Sequence, residues 1–323
     1  MTPAQRCVIG VDLGGTKTAA GIVDDTGRLH ASEFRPTPAA AGAAAILATA
    51  VGLVASLLAQ ARTADMLPVA VGIGSAGVID AAAGSVVSAT DSLTGWAGTP
   101  LAAHLAQHSG LPAYAVNDVH AHNLGEHWVG ASAGADSSLL VAVGTGVGGS
   151  LILGGAPHLG ARAVAGHVGH LASPAAYDDG GRPLPCSCGR AGHLEAIASG
   201  PSIANLYRRL AGRDPGTARE VAARAAAGEP PAVRALALGA AAAGQAVGGL
   251  ANVLDPSIVV IGGGMAAAGE LWWLPFRSAL QAELMDPLAG LPVVPAALGS
   301  SAAVVGAAKI ALDRMRIPET TSA

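Results

Sequence analysis

Two glycine-bearing stretches hold the residue types that phosphate chemistry uses: Asp12-Leu13-Gly14-Gly15-Thr16-Lys17 and Gly144-Thr145-Gly146-Val147-Gly148-Gly149. Glycine lets the backbone come close to a ligand, and successive free N–H groups form a cradle for phosphate oxygens. Thr16 and Thr145 add hydroxyl donors. One such loop reads equally well as a plain hairpin turn, but the pattern occurring twice points to phosphate. Asp12 would repel those oxygens unless a cation lay between them. That implies Mg²⁺, which takes one or two carboxylates together with nucleotide oxygens; as a simple turn residue, Asp12 needs no ion.

Asn117-Asp118 stands where a strand over residues 113–116 is expected to stop and a helix to begin near Val119. Both residue types cap helices. A carboxylate at the carboxyl end of a parallel strand is also where α/β enzymes place catalytic groups, and phosphoryl transfer needs one acceptor for the hydroxyl proton. Cys186-Ser187-Cys188 contains two of the three cysteines. Three cysteines make no disulfide framework, so the close pair points to a reduced compartment and a metal.

The elements that must carry these groups follow from hydrophobic pattern. Each glycine loop lies between two apolar runs, 7–12 and 19–23 for the first, 139–143 and 150–153 for the second, which reads as two hairpins and two related halves. Residues 257–261 read as a strand entering Gly262-Gly263-Gly264, with a helix from Met265. Further strands are expected at 68–73 and 111–116. The pattern gives an α/β chain in two halves with a nucleotide between them, and 323 residues suffice for two domains.

A net charge of −4 gives no reason to expect a nucleic-acid partner. Residues 36–61 and 235–254 carry no charge and are long enough to span a membrane. Their larger apolar residues recur at helical spacing, as in Leu47, Val51, Val54 and Leu58, and again in Val247, Leu250 and Leu254. We therefore read them as buried amphipathic helices. No signal peptide is discernible, so a cytoplasmic protein is expected. The tail at 317–323 is expected to be disordered.

These motifs, with Ala165-Gly166-His167-Val168-Gly169-His170 and Cys186-Ser187-Cys188-Gly189-Arg190, occur in the order of ROK-family sugar kinases, and the chain resembles that family over nearly its full length. The resemblance implies an actin/hexokinase-like ATPase fold of two α/β domains with the active site in the cleft between them. The smaller domain would span 1–117, completed by a C-terminal helix at 301–316, and the larger 118–300. It implies ATP at Asp12, Gly14, Gly15, Thr16, Lys17, Gly144, Thr145, Gly146, Gly148, Gly263 and Gly264, and Asp118 as the base for a sugar 6-hydroxyl. Sugar contacts would come from Gly77, Asn117, Asp118, His167, His170 and Glu195. A homodimer is the family habit. ROK repressors carry a DNA-reading module before the first loop, for which a first strand near Cys7 leaves no room.

Two departures bear on chemistry. The family's zinc segment has three cysteines and a histidine, whereas His193 stands here at the last cysteine, so that His170, Cys186, Cys188 and His193 would form a closed, structural Cys₂His₂ zinc site. His167 stands where glucose-directed relatives have Glu. An ionised Glu only accepts, which suits two neighbouring sugar hydroxyls; neutral His offers one donor and one acceptor, as a 2-acetamido group does. The expected substrate is therefore N-acetylmannosamine, with glucose as the alternative. Ser92 replaces a common Asn near the sugar. The remaining histidines, among them His104, His108, His120, His122 and His127, show no ligand grouping.

Overall fold

The computed structural model describes residues 4–90 and 93–316, so Ser92 and the tail at 317–323 lie outside the described residues. A hairpin of β1 (Gln5–Leu13) and β2 (Lys17–Asp24) is extended by β3 (Leu29–Pro36). Then come α1 (Ala43–Thr63), β4 (Met66–Ser75), the short hairpin β5 (Val78–Asp80) and β6 (Ser85–Ser88), α2 (Leu101–Ser109), β7 (Ala113–Asn117) and α3 (Asp118–Val129). The next elements are β8 (Ser137–Val143), β9 (Val147–Leu153), β10 (Ala156–Pro157), α4 (Glu195–Ala198), α5 (Gly200–Ala211) and α6 (Ala218–Ala226). The chain closes with α7 (Pro230–Leu254), β11 (Ile258–Gly262), α8 (Glu270–Glu283), β12 (Val293–Pro295) and α9 (Ala302–Arg316). Residues through Gly134, Ile152–Ala165 and the chain from Ala297 form one compact unit; Ala135–Leu151 and Gly166–Ala296 form a second.

In the first unit the sheet order is β3-β2-β1-β4-β7, with β1, β4 and β7 parallel to one another. β1 is apolar at consecutive positions because it is covered on both faces, the usual reading of a central strand in an α/β sheet. One face is covered by α1 and α2, whose Ile46, Leu53, Leu57, Leu101 and Leu105 share a core with Ile9, Val11 and Ile73. The other face is covered by α9, which lies directly on strand backbone: a Cβ on Gly72 would stand 1.7 Å from the Ala307 carbonyl oxygen. Glu126 of α3 is fully buried, and its carboxylate accepts from the N–H groups of Ala131, Ala297 and Leu298 at 2.8, 3.0 and 2.8 Å. It thereby fixes the chain entering α9 against α3.

In the second unit β11 lies between β8 and β12, parallel to both. Tyr207, Trp272 and Phe276 are the largest fully buried side chains of its core, and Trp273 packs beside them. α6 starts from a reciprocal capping box between Thr217 and Glu220. α1 and α7 are both long and apolar enough to cross a membrane, with 39% and 50% of their most apolar windows buried. The buried face of α1 is broader than the expected stripe: it adds Ile46, Leu53 and Leu57, while Val51 is only half-buried.

Both glycine loops are shorter than their motifs. Lys17 already begins β2, and Val147, Gly148 and Gly149 already belong to β9. The helix expected from Met265 is delayed: a single 3₁₀ turn covers Gly264–Ala267, and α8 starts only at Glu270. The cause is Gly269, whose φ of 80° breaks the helical path.

Candidate active site

In the first unit, Asp12 sits near the carboxyl end of β1, opposite Gly74 of β4 and Ala19 of β2. The first loop closes tightly, with the Gly14 N–H donating to the Lys17 carbonyl at 3.1 Å. Thr37 braces it, donating its hydroxyl to the Gly14 carbonyl at 2.8 Å and its N–H to the Thr16 carbonyl at 3.0 Å. Gly14 and Gly15 are half-buried and Thr16 exposed. Lys17 is exposed, its ammonium 5.0 Å from the Phe34 ring centroid.

Asn117 ends β7 and caps α3: its side-chain oxygen accepts from the N–H groups of Val119 and His120 at 3.0 and 3.4 Å. Its amide donates to the Gly77 carbonyl at 2.9 Å, which brings the loop after β4 to the same place. Capping thus occupies the oxygen and leaves one amide hydrogen for a ligand. Asp118 opens α3 at the positive end of the helix, with Oδ1 accepting from the Val119 N–H at 2.9 Å. Burial, and secondarily the charge of Asp118, push the Asp12 carboxyl up to about 7, with Lys17 pulling the other way. Two carboxylates crowded in this manner suit a cation, so the donor chemistry fits Mg²⁺ at Asp12.

In the second unit the other loop is equally tight, the Gly144 N–H donating to the Gly146 carbonyl at 2.9 Å and the Gly200 N–H to the Gly144 carbonyl at 2.8 Å. A cavity of about 700 Å³ opens beside it, walled by Gly144 and Thr145, the start of α5 at Gly200 and Pro201, α6 at Thr217 and Arg219, and the turn at Gly264 and Met265. Gly263 is an exposed neighbour of that turn. Gly148 lies one residue into β9 and does not line the cavity.

Glu195, first residue of α4, does not cap its own helix. One carboxylate oxygen accepts from the Val147 N–H at 2.9 Å, and the other accepts from the Ser187 hydroxyl. His167 precedes the 3₁₀ turn Val168–His170, and its ring stacks with that of His170 at 6.3 Å between centroids. The side-chain donor atoms of His170, Cys186, Cys188 and His193 all lie within 4.8 Å of one another. Cys186 Sγ is 3.7 Å from His170 Nδ1 and Cys188 Sγ 3.3 Å from His193 Nδ1. Tetrahedral zinc with ordinary bond lengths would separate such ligands by roughly 3.3–3.8 Å, so the set fits a zinc ion. Burial lowers the His170 pKa, which favours the neutral ring that a metal requires.

The ROK family model matches residues 8–314. The chain belongs to the ROK family. A glucokinase of Streptomyces coelicolor is 32% identical over 94% of this chain and 97% of its own length. An N-acetylmannosamine kinase of Citrobacter koseri is 37% identical over 80% and 84%. The solved ROK family glucokinase of Streptomyces griseus, in complex with glucose and AMPPNP, matches with a TM-score of 0.81 and 31% identity, covering 95% of this chain and 99% of that one. The fold is the actin/hexokinase-like α/β fold of ROK sugar kinases.

The sequence motifs of this ROK chain thus gather into local groups: Asp12, Asn117 and Asp118 with Gly77 in one unit, and Glu195, His170 and the cysteines with the second loop in the other. The cavity wall from α5 and α6 carries no motif in the sequence, because residues such as Gly200, Pro201 and Thr217 are common wherever helices start. Ser187 was also missed. Its place between two cysteines was the available signal.

Proposed function

We propose that this ROK chain is a sugar kinase that transfers the γ-phosphoryl group of ATP to the 6-hydroxyl of a hexose or N-acetylhexosamine. The observation that carries the reading is Asp118: a carboxylate on the first residue of α3, fixed by the Val119 N–H and next to the capping residue Asn117. There it would accept the proton of the attacking hydroxyl while Asn117 and Gly77 orient the sugar. Gly14, Gly15, Thr16 and Lys17 would hold phosphate oxygens from the first loop, and Gly144, Thr145 and Gly146 from the second, with Gly263 and Gly264 beside the nucleotide; Gly148, inside β9, would act only by shaping that loop. Asp12 would hold Mg²⁺, which when bound neutralises charge on the transferring phosphates.

His170, Cys186, Cys188 and His193 would hold a structural zinc ion. A His170 that ligates through Nδ1 keeps Nε2–H as a fixed donor, so the same ring serves the sugar. Glu195 would accept sugar hydroxyls. His167 favours N-acetylmannosamine, since its one donor and one acceptor match a 2-acetamido group. The glucokinase similarity over 94% of the chain favours glucose as a second reading. Initial rates with a panel of hexoses and hexosamines, ATP and Mg²⁺ decide between them. A higher kcat/KM for N-acetylmannosamine in the wild type, shifted toward glucose in His167→Glu, supports the first reading; a wild type that prefers glucose refutes it. We place the enzyme in the cytoplasm, consistent with its free cysteines.

A further inference from the structure

Glu195 is held at both ends by groups that belong to two different structural devices. Its Oε2 accepts from the Val147 N–H at the end of the second glycine loop, at 2.9 Å. Its Oε1 accepts from the hydroxyl of Ser187, which stands between the clustered thiols of Cys186 and Cys188. Gly146 is shaped by the same contact, for a Cβ there would stand 2.7 Å from Glu195 Oε2. The carboxylate therefore ties the Cys/His loop to the glycine loop, and each oxygen retains a lone pair for a further donor.

We propose that Ser187 is a positioning residue for sugar binding: it aims the Glu195 carboxylate, and metal bound by its two flanking cysteines fixes Ser187 in turn. This rests on the reading of Glu195 as a sugar acceptor. A flexible loop would let Ser187 drift and the carboxylate rotate about its own χ angles, while Val147 holds only the other oxygen. The dependence of sugar affinity on metal then runs through one hydroxyl. Charge-assisted hydrogen bonds of this kind are the strong ones, and preorganising an acceptor is where their strength is expressed in binding.

The test is calorimetric titration of the full-length, metal-loaded protein with N-acetylmannosamine and with glucose, alongside metal content and Tm. In Ser187→Ala the metal content and Tm stay at wild-type values, while Kd for the bound sugar rises roughly 3- to 10-fold, the loss falling on KM more than on kcat. Ser187→Thr, which keeps the hydroxyl, restores affinity; Ser187→Gly behaves as Ser187→Ala. Chelation weakens sugar binding by a larger factor in the wild type than in Ser187→Ala. Wild-type affinity in Ser187→Ala, or Ser187→Thr as weak as Ser187→Ala, overturns the proposal. Glu195→Gln separates the two layers: an unchanged Kd there removes Glu195 from the sugar site and the proposal with it, whereas weak binding in Glu195→Gln beside normal binding in Ser187→Ala removes only Ser187.

Discussion

Asp12 should make the metal-free protein less stable at neutral pH than its own Asn variant. The carboxyl moves from 3.8 to about 7 on folding, because burial and then Asp118 disfavour its charge. A raised carboxyl pKa means that the folded state binds the proton more tightly, so stability is lost as pH rises from about 4 to about 7 and the penalty is complete above that. At about 1.4 kcal/mol per pH unit the full step is about 4 kcal/mol. Asp12 is partly solvent-accessible, and screening discounts this to roughly 2 kcal/mol. For a unit of this size, that is a Tm difference of about 4–8 °C. Differential scanning calorimetry in a chelator should therefore find Asp12→Asn more stable than wild type at pH 8, with the difference nearly gone at pH 3.5, below the unfolded pKa. Saturating Mg²⁺ should narrow the gap at pH 8 by stabilising only the wild type, and the variant should lose most of its activity. A variant that is less stable than wild type at pH 8 would refute the crowded-carboxylate reasoning.

Three further outcomes follow from the same geometry. Purified protein should hold about one zinc per chain by elemental analysis, and Cys188→Ser should lose metal, stability and sugar affinity together, since binding energy at such a site is folding energy for the loops it ties. Glu126→Ala should lower stability by about 3 kcal/mol in denaturant titration, because three backbone N–H groups lose their buried acceptor. Ala222→Trp should fill part of the cavity beside the second loop, raising KM for ATP at least tenfold while calorimetry shows unchanged sugar binding.

What was legible in the sequence was what is local along the chain. Asp12 and its glycines are read within six residues, and Asn117 and Asp118 declare a helix start because capping chemistry is a short-range affair. The candidate metal ligands are legible by type, although only folding brings His170 to Cys186 across 16 residues. Contacts to distant backbone leave no such mark. Glu126 belongs to no motif, and two of its three backbone partners lie 171 and 172 positions away. The cavity wall is likewise silent, since alanine and glycine shape space without carrying a side-chain signal. His120, which shows no ligand grouping in the sequence, is buried on α3, whose alternation of His and apolar residues does not reveal which face α9 covers.

In the proposed mechanism Asp118 takes the proton from a sugar hydroxyl as the phosphoryl group arrives. Its most direct test is the single-turnover rate of Asp118→Asn against wild type at saturating ATP, Mg²⁺ and the preferred sugar, with sugar Kd measured on both proteins. The expected rate is lower by on the order of 10²- to 10⁴-fold, with Kd changed only slightly. A variant that phosphorylates sugar at a near-wild-type rate would contradict it.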